Sequence, residues 1–83
     1  MKISIACDHG AYMLKNKVAQ HLKNEGHEVV DFGTNGPESC DYPDFAAQAA
    51  RAVAQGACER GIVLCTTGIG VSITANKIKG IRC

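Results

Sequence analysis

The sequence predicts an α/β fold, a parallel sheet covered on both faces by crossover helices in three layers. Three observations carry this. Strand-like runs alternate with segments of helical periodicity along the whole chain. Two of the strands, Lys2 to Cys7 (KISIAC) and Gly61 to Cys65 (GIVLC), are apolar almost throughout instead of alternating. Glycine-containing loops follow the strands and close the first and third helices. Continuous apolarity suits strands buried on both faces, and strand–helix–strand order implies right-handed crossovers between parallel neighbours.

Taken in order, Lys2 to Cys7 has Ser4 as its one polar interruption after Lys2, and Asp8-His9-Gly10 stops it. From about Ala11 to Asn24, Ala11, Leu14, Val18 and Leu22 recur at helical spacing, with Lys15, Lys17 and Lys23 outside that stripe and Gly26 as a stop. Glu28 to Phe32 (EVVDF) is a more polar strand, as expected at a sheet edge, and Gly33-Thr34-Asn35-Gly36-Pro37 is loop chemistry. Asp41 to Gln55 opens with a capping Asp and Pro43. Its Ala-rich face (Phe45, Ala46, Ala49, Ala50, Val53) suits close packing on a sheet. Gly61 to Cys65, the most apolar run, is expected beside the first strand in the sheet centre. Val71, Thr74, Ala75 and Ile78 mark a third helix closing at Gly80, and Ile81-Arg82-Cys83 reads as the start of a fourth strand. In such a sheet ligands bind beyond the carboxyl ends of the strands, in a crevice lined here by Asp8-His9 and Cys65 to Gly70.

Composition narrows the function classes. At 83 residues the chain holds one domain at most. Nine Lys and Arg against eight Asp and Glu are interspersed, which predicts neither a nucleic-acid nor an anionic-membrane partner. With 46% hydrophobic and 20% charged residues the chain is of globular type. The absence of a long apolar run or a signal-peptide pattern makes the cytoplasm the default location. The five cysteines (7, 40, 58, 65, 83) are odd in number and contain no CxxC pair, so most are expected to be reduced and structural.

Few residues are placed to carry chemistry. Thr66-Thr67-Gly68-Ile69-Gly70, between a strand and a helix, suits an anion cradle, because unpaired amides at a helix start point at bound negative charge. An ordinary strand-to-helix turn is the competing reading. A dinucleotide fingerprint is excluded by Ile73 in place of a third glycine, and no Walker pattern is present. Cys65 has its sulfur close to those amides, which favours thiolate and so a base or nucleophile; a buried thiol acting as a small hydrophobe is the alternative. Cys7 is read as core packing, and Cys40, Cys58 and Cys83 sit where no chemistry is expected. Asp8 and His9 are placed either to bind a substrate oxygen or as a cap and a surface imidazole. Tyr42 either reaches over the crevice or packs behind the Asp41 cap, and Asn76-Lys77 is left open between a solvated face and a supporting role. His21 and His27 are read as solvated, and no metal-ligand spacing exists.

Together these segments resemble one family. Ala6-Cys7-Asp8-His9-Gly10, Asp41-Tyr42-Pro43, Cys65-Thr66-Thr67-Gly68-Ile69-Gly70, Ala75-Asn76-Lys77 and Gly80-Ile81-Arg82 are similar, in order and over the whole chain, to the ribose-5-phosphate isomerase B family, which includes allose and galactose 6-phosphate isomerases. The resemblance implies a Rossmann-like sheet and a cofactor-free aldose-ketose isomerase of the pentose phosphate pathway. It also implies a homodimer with sites shared between subunits. Carried over by position, Cys65 corresponds to the base that moves a proton between C2 and C1 of ribose 5-phosphate through a cis-enediolate, with Thr67 as an assisting hydroxyl. Asp8, His9, Tyr42, Thr66, Thr67, Gly68, Ile69 and Gly70 correspond to substrate-binding positions.

The chain departs from the pattern in two ways. Thr66 stands where the family's loop usually has glycine, which would impair close backbone approach if that position needs a positive φ. The family's chains also continue for roughly as many residues again, with further strands, a ring-opening His, an Asn and phosphate-binding Arg residues. Residues 1–83 are therefore expected to be the N-terminal half of one Rossmann-like domain. The alternative to an active isomerase is a catalytically silent sugar-phosphate-binding or assembly fragment. A thiol-redox protein is a weaker third reading, disfavoured by the missing CxxC partner.

Overall fold

A computed structural model of the chain describes residues 1–33 and 42–83, with side chains in the second segment described from Phe45 onward. Three strands, β1 (Lys2–Cys7), β2 (Glu28–Asp31) and β3 (Arg60–Leu64), form a parallel sheet of order β2-β1-β3. The helices are α1 (Tyr12–Asn24), α2 (Tyr42–Ala54) and α3 (Ile69–Asn76), with a short 3-10 turn over His9–Ala11 before α1. The expected α/β class, the pairing of the first strand with the third, and the edge position of the polar second strand hold, whereas β3, expected in the sheet centre, is an edge strand among the described residues and has no buried residue. The chain steps from β1 to β2 in one direction and from β2 to β3 in the other, so right-handed crossovers put α1 and α2 on opposite faces. Helices leaving β1 and β3 therefore diverge, which makes the carboxyl ends of those two strands the switch point where an α/β sheet opens a crevice.

β1 is the buried spine, with Ile3 to Cys7 all buried. Ser4 faces α2 and donates its hydroxyl to the Ala49 carbonyl at 2.9 Å, which satisfies the polar group in that strand. Gly61, paired with Ser4, has no room for a side chain: a Cβ there would lie 2.8 Å from Ser4 Oγ and 3.1 Å from Val53 Cγ2. The buried alanines 46, 47, 49, 50 and 52 let α2 lie close to the sheet, as its small-residue face predicted.

Five details differ from the sequence-based expectation. The residues buried on the inward side are Ala11 in the 3-10 turn and Lys15 and Ala19 in α1, and Leu14 is 54% exposed. Lys15, placed outside the stripe by its charge, is fully buried because Asp31 at the end of β2 receives its ammonium at 2.7 Å. α3 stops at Asn76 instead of reaching Gly80; Lys77, Ile78 and Ile81 continue in tighter turns to Thr74, Ala75 and Ile78 carbonyls. Ile81 to Cys83 is not a strand. With no β-partner beside it among the described residues, its last residue is held by Asn76, whose side-chain amide accepts from the Cys83 N–H (2.9 Å) and donates to its carbonyl (3.3 Å). His27, read as solvated, is only half-exposed, and its Nδ1 is buried.

β3 pairs with β1 alone among the described residues, and a groove of about 380 Å³ runs along its outer side, lined by Ala50, Val53 and Val63 and by residues 80–83. An apolar strand with one open edge is a template for pairing with another chain. Sedimentation of the 8.8 kDa chain is therefore expected to show mass rising with concentration; a strictly monomeric, cooperatively melting species would contradict this.

Candidate active site

The crevice at the switch point is a pocket of about 350 Å³ lined by Asp8, Cys65, Thr66, Thr67, Ile69 and Gly70. That lies near the lower end of the roughly 300–1,000 Å³ usual for small-molecule sites. Both strand ends contribute. The Asp8 N–H donates to the Leu64 carbonyl at 3.1 Å, continuing the β1–β3 ladder one residue past the strand and fixing the Asp8 backbone beside the start of the Cys65 loop. The Asp8 carboxylate in turn accepts from the Ala11 N–H at 3.1 Å, capping the 3-10 turn. Asp8 thus serves as a cap and also borders the pocket.

β3 ends at Leu64, so Cys65 is the first loop residue and not the last of the strand. Its sulfur accepts a hydrogen bond from the Gly68 N–H at 3.0 Å, and the Thr67 hydroxyl lies 4.0 Å away. The Thr67 oxygen accepts from the Ile69 N–H at 3.3 Å, which leaves its own proton to donate. A thiolate can only accept, so beside ionised Cys65 the hydroxyl points its proton at sulfur or at a bound oxygen. Gly68 holds φ +77° as the residue preceding α3, a left-handed conformation that turns its amide back onto the sulfur and that a side chain would resist.

Partial burial pushes the Cys65 thiol pKa upward, but the backbone amides of Val71, Thr67 and Gly68, with the Thr67 hydroxyl, outweigh it and leave the pKa below its ordinary value. Hydrogen bonds to the charged form are the cause. A sulfur that is accessible and poised as thiolate in a pocket can act as a base or a nucleophile.

The structure brings together Asp8, Cys65, Thr66, Thr67, Gly68, Ile69 and Gly70. His9 lies exposed on the 3-10 turn, outside the pocket lining. The Asp41 cap and the Tyr42 side chain fall outside the described residues. The question raised by Thr66 is answered by its backbone, because among the described residues no non-glycine residue has positive φ. Two features were not read from the sequence: the Lys15–Asp31 pair, whose signal was a lysine in step with Ala11 and Ala19, and the fit of Gly10 against Thr66. Among the described residues no group of three or more His, Cys, Asp or Glu converges, and no helix is long and apolar enough to cross a membrane.

The sequence matches the Ribose/Galactose Isomerase family over residues 3–83. It is 49% identical over 81 residues to ribose-5-phosphate isomerase B of Escherichia coli, covering 98% of this chain and 54% of that protein. It is 48% identical to the galactose-6-phosphate isomerase subunit LacB of Clostridium acetobutylicum, covering 99% of this chain and 47% of that one. Ribose-5-phosphate isomerase B of Clostridium thermocellum superposes with a TM-score of 0.97 at 60% identity, over 99% of this chain and 55% of that structure. The chain therefore spans about half the length of these relatives and corresponds to their N-terminal half. With the parallel sheet, the switch-point pocket and the whole sequence in agreement, the chain belongs to the ribose/galactose isomerase family.

Proposed function

We infer that the chain carries the proton-transfer part of a sugar-phosphate isomerase site interconverting ribose 5-phosphate and ribulose 5-phosphate, with Cys65 as base. The observation that carries this reading is the Cys65 sulfur, held by the Gly68 amide at 3.0 Å inside the switch-point pocket. In the open-chain aldose the thiolate takes the C2 proton, and the electron pair left behind forms the C1–C2 double bond as the carbonyl π pair moves onto O1. Amides of the 66–70 loop stabilise the enediolate charge, the type of contribution that a preorganised oxyanion site makes. The O2 proton passes to O1, the C2–O2 carbonyl forms as the C1–C2 double-bond pair takes the proton back from the thiol at C1, and the ketose and the thiolate result. Thr67 donates a hydrogen bond to the oxygen that carries charge, and Asp8, His9 and Tyr42 contact the sugar. The same reading gives a homodimer working in the cytoplasm without a cofactor, in pentose phosphate metabolism.

A second reading has one observation in its favour. Among the described residues the pocket lining contains no Lys, Arg or His to hold a phosphate, so a chain half the length of its relatives can bind the sugar end without turning it over, as a sugar-phosphate-binding or assembly fragment. Ribose 5-phosphate is expected to slow iodoacetamide alkylation of Cys65, read by peptide mass, while leaving Cys83 unprotected. Alkylation of Cys65 at an unchanged rate under saturating sugar phosphate would contradict both readings.

A further inference from the structure

Gly10 is a glycine without a conformational reason to be one. Among the described residues the glycines with positive φ are 26, 33, 56, 68 and 80, and Gly10 is not one of them. What stands in the way of a side chain is the Thr66 hydroxyl: a Cβ built there would lie 2.6 Å from Thr66 Oγ1, closer than real Cβ atoms come, but 3.4 Å from Asp8 Oδ1 and 3.9 Å from Thr66 Cβ, so the hydroxyl is the group that has to move. Thr66 in turn lines the pocket and directly follows Cys65, and its backbone is relaxed. The threonine side chain therefore fills the space that the missing side chain of residue 10 leaves open, between the turn after β1 and the loop after β3.

We propose that Gly10 and Thr66 are a reciprocal size pair, and that Gly10 is a positioning residue that acts through Thr66 to set the Cys65 loop. A β-branched side chain is stiff at χ1, so a methyl at position 10 has two outlets. It pushes residue 66 away, which draws Cys65 from the Gly68 amide three residues on, or it turns Thr66 about χ1 and moves its hydroxyl and methyl within the pocket. Both outlets change the surroundings of the sulfur, and neither exists when residue 66 has no side chain. The inference rests on reading Cys65 as the reactive group of the site, but its test needs no sugar and no turnover.

The test is a double-mutant cycle on the full 83-residue chain, comparing Gly10→Ala, Thr66→Gly and Gly10→Ala/Thr66→Gly with the unaltered protein. Cys65 alkylation by iodoacetamide is followed against pH by peptide mass, and folding by circular dichroism. Gly10→Ala alone is expected to slow Cys65 alkylation at neutral pH several-fold and to move its pH midpoint upward, toward an ordinary thiol. In the Thr66→Gly background the same substitution is expected to move neither. Equal shifts in the two backgrounds, or no shift in either, would overturn the proposal. If Gly10→Ala fails to fold, the double variant must recover the fold, and its failure to do so would overturn the proposal as well. A cycle that behaves as expected in a chain without isomerase activity would reject the catalytic reading and leave the size pair intact.

Discussion

Asp31→Ala is expected to destabilise the chain by about 3 kcal/mol, at the lower end of what removing one partner of a buried ion pair costs. A folded chain of 83 residues has only about 4–12 kcal/mol in hand at 0.05–0.15 kcal/mol per residue. Lys15 is fully buried and its ammonium meets Asp31 Oδ2 at 2.7 Å, whereas the Asp31 side chain is 35% exposed. Removing the carboxylate takes away the anion that meets a buried ammonium, which keeps weaker contacts such as the Tyr12 ring 5.7 Å from Nζ. It also removes the Oδ1 acceptor of the Gly33 N–H, at 2.9 Å, and so loosens the chain where the Gly33 carbonyl receives the Cys7 N–H at 2.7 Å. The converse substitution is expected to be mild. Lys15→Met keeps the packed stem and leaves an aspartate that water and the Gly33 amide still solvate, so its cost is about 1 kcal/mol or less. Urea unfolding followed by circular dichroism measures both, and equal losses for the two variants would contradict the asymmetry.

That ion pair also shows where sequence reading succeeded and where it stopped. The strands and their order were legible, because KISIAC and GIVLC leave no polar face for water and because EVVD alternates less apolar residues suited to an edge. The alanine face of α2 was legible for the same kind of reason: side-chain size decides how near a helix lies to a sheet. Lys15 was not, because charge outvotes periodicity when the partner, sixteen residues away on another element, is unknown. The C-terminal boundary of α3 was missed because Lys77 to Gly80 still satisfy helical spacing while the Lys77 and Ile78 amides have already tightened to three-residue turns. Cys65 was identified from its position before a glycine loop. The actual donor, the Gly68 amide, depends on a left-handed backbone at residue 68, which sequence suggests only through the glycine itself. The space between Gly10 and Thr66 joins two strand ends, and no local pattern encodes it.

Cys65→Ala is expected to lower isomerisation by about 10²–10⁴-fold, the usual contribution of a positioned proton-transfer group. It should leave the fold intact, because the sulfur is half-exposed and the residue lies outside the buried core. Loss of the sulfur removes one acceptor from the Gly68 amide, which faces solvent and can be hydrated. The pH dependence carries the same signature. Protonated thiol cannot take up a proton, so turnover rises with pH through the Cys65 titration, and the loop amides place that rise below the pH at which an ordinary cysteine ionises. A rise at the ordinary cysteine position would mean that the Gly68, Thr67 and Val71 amides do not act on the sulfur in solution.

The most direct measurement is proton NMR of ribose 5-phosphate in D2O with the chain, following ketose formation and deuterium entry at C2, beside a Cys65→Ala control. Exchange with the unaltered chain that disappears in the control is the predicted result. Exchange that persists undiminished in Cys65→Ala would contradict Cys65 as the base. No exchange from a folded chain whose Cys65 is protected by the sugar phosphate would contradict catalysis by these 83 residues alone and leave the binding fragment in its place.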